Sequence, residues 1–207
     1  MKQVAELVDD PVRNMVLEVA NRPLIRTEDV WQSDAEKSLD GYSEEVMRLC
    51  GTYTNAGLPA DANAIGMCGR SKRGEEYARI ALVVHPQTQV VEQATFQARG
   101  TLAMIAAASV AASLAEGRTL DEVLLIEAAD IRGRLGTLPP DRATRAHIAA
   151  EALRAAVGDY YVRHGWDLQE LQERVPCDGT SLSCLQCQHC SYKTSQLELR
   201  MRAFGLA

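Results

Sequence analysis

The pattern of apolar and polar positions changes character along the chain, and those changes mark out its elements. After Asp10-Pro11, a capping carboxylate followed by a proline suited to a first turn, Val12, Met15, Val16 and Val19 recur on one helical face. A short amphipathic helix is expected from Pro11 to Ala20. The polar stretch Trp31 to Asp40 reads as a linker. Ser43-Glu44-Glu45 opens a second helix running to Cys50, with acidic residues at the positive end of its dipole. Gly51 to Gly69, punctuated by Asn, Gly and Pro, reads as a loop. Tyr77 to His85 and Thr88 to Ala98 are rich in β-branched residues and joined by His85-Pro86-Gln87, which predicts a hairpin.

From Thr101 onward the pattern is helical. Thr119 and Glu122 form a capping-box pair ahead of Val123 and Leu124, and Leu138-Pro139-Pro140 interrupts the run. A long helix follows, with Ala149, Leu153, Ala156 and Tyr160 on one face. After Gly165 the texture turns polar: a helix over Trp166 to Arg174, a cysteine loop over Pro176 to Cys190, and a last amphipathic helix carrying Leu197, Met201 and Phe204. Ser195 and Glu198 have the spacing of a capping box for that last helix. The chain therefore divides into an N-terminal helical extension and linker (1–40), a central domain (41–164) and a cysteine-bearing C-terminal segment (165–207). Helix, small antiparallel sheet and then helices in that order argue an α+β fold.

Composition narrows the class. The 207 residues are 46% hydrophobic and 24% charged, enough for a real core. With 22 Lys and Arg against 28 Asp and Glu the net charge is −6, so no overall field draws in nucleic acid or an anionic membrane. Leu102 to Ala115, the longest apolar stretch, is too short to span a bilayer, and MKQVAELVDD lacks the layout of a signal peptide. The expected location is cytoplasmic.

The placement of the six cysteines changes the picture most. Cys50 and Cys68 stand alone, while Cys177, Cys184, Cys187 and Cys190 fall close together near the end. A cytosolic chain with such a cluster holds a metal more readily than disulfides, and vicinal thiols two residues apart bridge poorly. The C-x2-C-x2-C run at Cys184, Cys187 and Cys190 can wrap one face of a cubane [4Fe–4S] cluster, with Cys177 as fourth ligand. Gly179, Ser181 and Ser183 leave the loop pliable, and Gln186 and Gln188 can donate to cluster sulfurs. Zinc is the competitor, with His189 as a substitute ligand, and a redox-sensing or disulfide group is the third reading. Cys50 reads as a core thiol beside Val46 and Leu49. His85, His147 and His164 read as a turn residue, a surface residue and a helix-end residue.

Tyr42-Ser43-Glu44-Glu45-Val46, Asn55-Ala56-Gly57, Gly66-Met67-Cys68-Gly69, Phe96 with Gly100, Leu120-Asp121-Glu122 after Gly117, Leu138-Pro139-Pro140 and the helix Ala149 to Tyr160 follow one another in order. Together they make the middle of the chain, roughly residues 41 to 164, resemble the iron–sulfur cluster scaffold family of IscU and the amino-terminal domain of NifU. The resemblance implies a small antiparallel sheet packed by helices. It also implies a metal or cluster site of three cysteines and an aspartate, with a histidine beside the last cysteine. Cys68 matches the first cysteine; Arg70 stands at the aspartate, Thr101 at the second cysteine, Arg145 at the third and Thr144 at the histidine. The loop after Pro140 runs Asp141-Arg142 where the family's chaperone-recognition loop has valine and lysine. One thiolate does not hold a cluster, threonine is a poor iron ligand and a guanidinium is none, so this set is degenerate. Arg70, Lys72, Arg73, Arg99 and Arg145 also gather charge near it, as a solvated surface or an anion site.

With no paired nucleophile and base, no phosphate loop and no dinucleotide fingerprint, the chain reads as a non-enzymatic iron–sulfur protein. Its expected work is assembly, carriage or delivery of a cluster or sulfur to a client apo-protein, or its receipt from a donor. The cluster would sit on Cys177, Cys184, Cys187 and Cys190, with Cys68 as a further thiol for transfer. Alternatives are an electron-transfer or redox-sensing module and a zinc-stapled interaction module. A homodimer sharing a cluster between tails is the assembly the cysteine count leaves open.

Overall fold

A computed structural model describes residues 25–33, 38–69, 76–175, 177 and 190–205. The helix expected from Pro11 to Ala20 lies outside the described residues. The described chain forms an α+β fold. A four-stranded sheet of β1 (Val30–Gln32), β2 (Ala64–Gly69), β3 (Tyr77–Val84) and β4 (Val91–Gly100) has the order β1-β4-β3-β2. The helices are α1 (Glu44–Thr52), α2 (Leu102–Ala115), α3 (Leu120–Leu124), α4 (Ala128–Leu135), α5 (Arg145–Arg163), α6 (Leu168–Arg174) and α7 (Ser191–Ala203). A single 3₁₀ turn, Pro140–Arg142, follows the Pro-Pro break.

The β3–β4 pair is the predicted hairpin, with its second strand shifted to Val91–Gly100 because Gln89 turns at positive φ before pairing resumes. Ala78, Ile80, Leu82 and Val84 alternate inward along β3, and α2 and α5 lie side by side over that face, α2 on β4 and α5 on β2. α2 is alanine-rich and buried on almost every side, since it is wedged between the sheet and α1, α4 and α5. The capping box at Thr119 and Glu122 is formed, and Ser43 caps α1 by accepting from the Val46 N–H at 3.2 Å.

Two strands replace expected irregular chain. Residues Val30–Gln32, at the start of the expected linker, pair in parallel with Ala98–Gly100. The alternation is hidden because one of its buried positions is polar: Gln32 satisfies itself by accepting from the Ile25 N–H at 3.2 Å, while Trp31 faces outward between the Arg26 and Arg99 guanidinium groups, 5.0 and 5.3 Å from its ring. Ala64–Gly69, assigned to a loop, is an edge strand. Its inward residues are Ala64, Gly66 and Cys68, too small to show β propensity, because α5 comes down directly on them. A Cβ at Gly66 would stand 2.1 Å from the Ala156 nitrogen and 2.2 Å from the Ala152 carbonyl oxygen. The outer edge of β2 is covered by side chains: the Ile65 N–H donates to Asp159 Oδ2 at 2.8 Å and the Met67 N–H donates to Ser191 Oγ at 2.9 Å.

The final helix begins four residues earlier than its expected capping box. Ser195 is inside it and donates its hydroxyl to the Ser191 carbonyl, so the capping pattern there is not used. The segment after Gly165 packs on the central domain: Leu171, Val175 and Tyr192 join the core, and Arg174 of α6 pairs with Asp121 of α3.

Gly66→Ala should push α5 off β2 and cost about 1–3 kcal/mol or more through overpacking. Urea unfolding of the full chain checks this, with the midpoint falling and no gain of stability from the lost glycine.

Candidate metal centre

Cys68, Thr101 and Arg145, three of the positions the resemblance implies for ligands, lie where the ends of β2 and β4 meet the first turns of α2 and α5, with Glu76 between these elements. Gly69 and Gly100 both hold positive φ, +118° and +140°, and both press on Glu76. A Cβ at Gly69 would lie 2.4 Å from the Glu76 carbonyl oxygen, and one at Gly100 would lie 2.6 Å from Glu76 Cγ. The carboxylate thus emerges between the two glycines. Glu76 Oε1 accepts from the Thr101 N–H at 3.0 Å, at the N-terminus of α2, and Glu76 Oε2 lies 2.5 Å from Arg145 Nη2. α2 has no acidic residue in its own first turn, so Glu76 supplies the negative charge its dipole favours from the residue before β3. Arg145 is fixed further by donating to the Asp141 carbonyl at 2.6 Å and to Thr144 Oγ1 at 3.1 Å.

This arrangement does not fit a metal or cluster. Thr101 is fully buried, and its Oγ1, like Arg145 Nε, has no hydrogen-bond partner among the described residues. Neither group is a suitable ligand for iron, and a cation here would meet a guanidinium already ion-paired to Glu76. Arg70, at the family's aspartate, lies outside the described residues, as do Lys72 and Arg73. Cys68 is 1% exposed and in register with Ala78, on the helix-covered face of the sheet. Among the described residues, no three His, Cys, Asp or Glu side chains gather as a metal site requires.

The second thiol group is at the other end of α5. Cys177 follows α6, Cys190 precedes α7, and both are half-buried; Cys184 and Cys187 lie outside the described residues. Tyr192 stands between the ends of this loop. Burial above all pushes its hydroxyl up to about 12, and the charge of nearby Cys177 and Cys190 raises it further. Tyr192 is two residues after Cys190 and bonds to a carbonyl two residues before Cys177, so the two necks of the loop lie together. The Tyr192 hydroxyl donates to the Val175 carbonyl at 2.6 Å.

The remaining thiol and imidazoles have local tasks. Cys50 is buried in the core and donates to the Leu102 carbonyl at 3.4 Å. His147 Nε2 meets Arg132 Nη1 at 3.2 Å, His164 stacks on Tyr160 with ring centres 4.0 Å apart, and His85 Nδ1 accepts from the turn N–H groups of Gln87 and Thr88. Sequence reasoning did not single out Glu76, Gly158 or Tyr192. The acidic pair Glu75-Glu76 closing a basic stretch was the available signal for Glu76, and an aromatic two residues past the last cysteine was the signal for Tyr192.

Residues 41–166 match the family model described as NifU-like N terminal domain. The chain is 29% identical over 124 residues to the iron-sulfur cluster assembly scaffold protein IscU of Aquifex aeolicus, spanning 60% of this chain and 78% of that one. It is 31% identical over 124 residues to the iron-sulfur cluster assembly scaffold protein IscU 1 of Archaeoglobus fulgidus, spanning 60% and 79%. With the nitrogen fixation protein NifU of Azotobacter chroococcum it shares 37% identity over 119 residues, which cover 58% of this chain and 38% of that protein.

Glu76→Gln leaves Arg145 without its counter-charge and should cost about 1–3 kcal/mol in urea unfolding. Restoring the family set is the complementary experiment: Arg70→Asp, Thr101→Cys and Arg145→Cys with Glu76→Ala, in a Cys184→Ser, Cys187→Ser background. That variant should take up about one zinc per chain, where the same background without the four restoring changes takes up none at this pocket.

Proposed function

We propose, on the premise that this chain belongs to the NifU-like N-terminal domain family, that it carries an iron–sulfur cluster as cargo for assembly or delivery. The cargo is held by Cys177, Cys184, Cys187 and Cys190, away from the pocket that Glu76 closes. The observation behind this is the hydrogen bond from Tyr192, two residues after Cys190, to the Val175 carbonyl, two residues before Cys177, which joins the two necks of the loop. With its necks joined, a loop carrying Cys177 and Cys190 at its ends and Cys184 and Cys187 within offers a four-thiolate set. The C-x2-C-x2-C spacing favours a [4Fe–4S] cluster over zinc, which more often draws on separated pairs.

The relatives named as assembly scaffolds support the cluster as the chemistry of the family. This chain's own departures support its relocation: Glu76 and Arg145 consume the old pocket, and the tail supplies the missing thiolates. Delivery is ligand exchange, in which client thiolates replace tail thiolates one at a time, so it requires no nucleophile–base pair. The central domain then acts as the docking body for a client apo-protein or a cluster or sulfur donor. Cys68, buried on β2 beside the pocket that Glu76 closes, is the further thiol proposed for transfer. No helix among the described residues is long and apolar enough to cross a membrane.

Anaerobic purification with iron, sulfide and zinc analysis tests the assignment. About four irons and four sulfides per chain are expected, with visible absorbance that bleaches in Cys184→Ser, Cys187→Ser and persists in Cys68→Ser. Cys68→Ser should instead slow transfer to an apo-ferredoxin. One zinc and no colour would replace the cluster reading with a structural zinc staple.

A further inference from the structure

The cysteine loop is held at both ends by one side chain. Tyr192 lies in the first turn of α7, two residues after Cys190, and its ring rests directly on Gly158 of α5. A Cβ at Gly158 would stand 2.3 Å from Tyr192 Cδ2 and 2.5 Å from Cε2, so only glycine leaves room for the ring. The ring is fully buried, and its hydroxyl reaches the C-terminus of α6, accepted by the Val175 carbonyl at 2.6 Å and the Leu171 carbonyl at 3.3 Å. Both carbonyls belong to the end of α6, where Leu171 also accepts the Val175 N–H at 2.9 Å, and Val175 is two residues before Cys177. Next to Tyr192, Ser191 Oγ accepts the Met67 N–H from the edge of β2. The chain leaving toward Cys177 and the chain returning from Cys190 are therefore fastened to each other and to the domain.

We infer that Tyr192 is a positioning residue that latches the cysteine loop shut, with Gly158 as its socket and the α6 carbonyls as its catch. What it positions is a thiolate pair, Cys177 and Cys190, for a thiophilic metal ion or an iron–sulfur cluster. The ligand rests on the proposed function above; the latch rests on the contacts just described. Its physical effect is on the ordering cost of binding. An open loop of this length must be closed when it takes up metal, whereas a latched loop has met that cost on folding. The bonds of the hydroxyl and the fit of the ring contribute separately, so they separate by substitution: Tyr192→Phe keeps the ring and removes the hydrogen bonds, and Gly158→Ala expels the ring.

The test measures thiol proximity without metal. In full-length chain carrying Cys184→Ser and Cys187→Ser, Cys177 and Cys190 are equilibrated with reduced and oxidised glutathione. Glutathione disulfide takes two electrons and two protons from the pair, giving one protein disulfide and two glutathione molecules, and the ratio at equilibrium yields the effective concentration of one thiol at the other. Tyr192→Phe should lower that concentration about threefold and Gly158→Ala about tenfold or more, with the thermal unfolding of the domain followed in parallel. An unchanged effective concentration in a folded Tyr192→Phe variant would overturn the latch, whatever Gly158→Ala does to folding. A cobalt(II) titration of the chain with all its cysteines addresses the ligand separately. A thiolate-to-cobalt charge-transfer band that weakens in the same order of variants supports positioning for metal. A native chain with no such band, alongside the glutathione shifts, removes the metal reading and leaves the latch standing.

Discussion

Everything in the described structure depends on how closely α5 lies on the edge strand β2. Gly66 removes the side chain at the crossing, and Ala149, Ala152, Ala155 and Ala156 keep the helix face low, so helix backbone touches strand backbone. That contact fixes the rest. It sets the depth at which α2 lies beside α5, brings Asp159 to the strand edge, and places the first residue of α5 against the ends of β2 and β4. A looser crossing would leave Glu76 without Arg145 and Tyr192 without its socket.

One helix consequently carries both chemically interesting places. Arg145 begins α5 and Gly158 is near its end, roughly 20 Å along the axis at 1.5 Å per residue. At the first place, Thr101 and Arg145 stand where the resemblance implies cysteines, and a carboxylate–guanidinium pair is tied to the α2 N-terminus by the Thr101 N–H. Such a pair specifies a closed arrangement more than it adds stability, because desolvation offsets much of its Coulomb energy. At the second, a glycine socket accepts a tyrosine whose hydroxyl gathers the loop ends. The same rigid rod closes one site and organises the other.

The sequence was most legible where local chemistry decides structure. Thr119 with Glu122 and Ser43 with Val46 form the caps their spacing predicts, and the β-branched runs of β3 and β4 pair as expected. It was least legible where tertiary contact overrides propensity. β2 looks like loop because it is built from Ala, Gly and Cys to admit a helix, and β1 is masked by a buried glutamine that bonds to its own neighbourhood. Ser195 has capping spacing, but Tyr192 and Ser191 anchor the helix earlier through contacts with distant Gly158 and Met67. The degenerate ligand set was readable at Thr101 and Arg145, yet what fills the pocket was not. Glu76 acquires its role only when β3, α2 and α5 meet.

The claim at the centre of this account is that cargo binding has moved from the pocket at Cys68 to the tail loop. Differential alkylation of the anaerobically loaded and metal-stripped chain, read by mass spectrometry cysteine by cysteine, addresses it most directly. The account predicts metal-dependent protection of Cys177, Cys184, Cys187 and Cys190, with Cys68 and Cys50 reacting alike in the two samples. Metal-dependent protection confined to Cys68, with the four tail thiols alkylated equally in both, would contradict it.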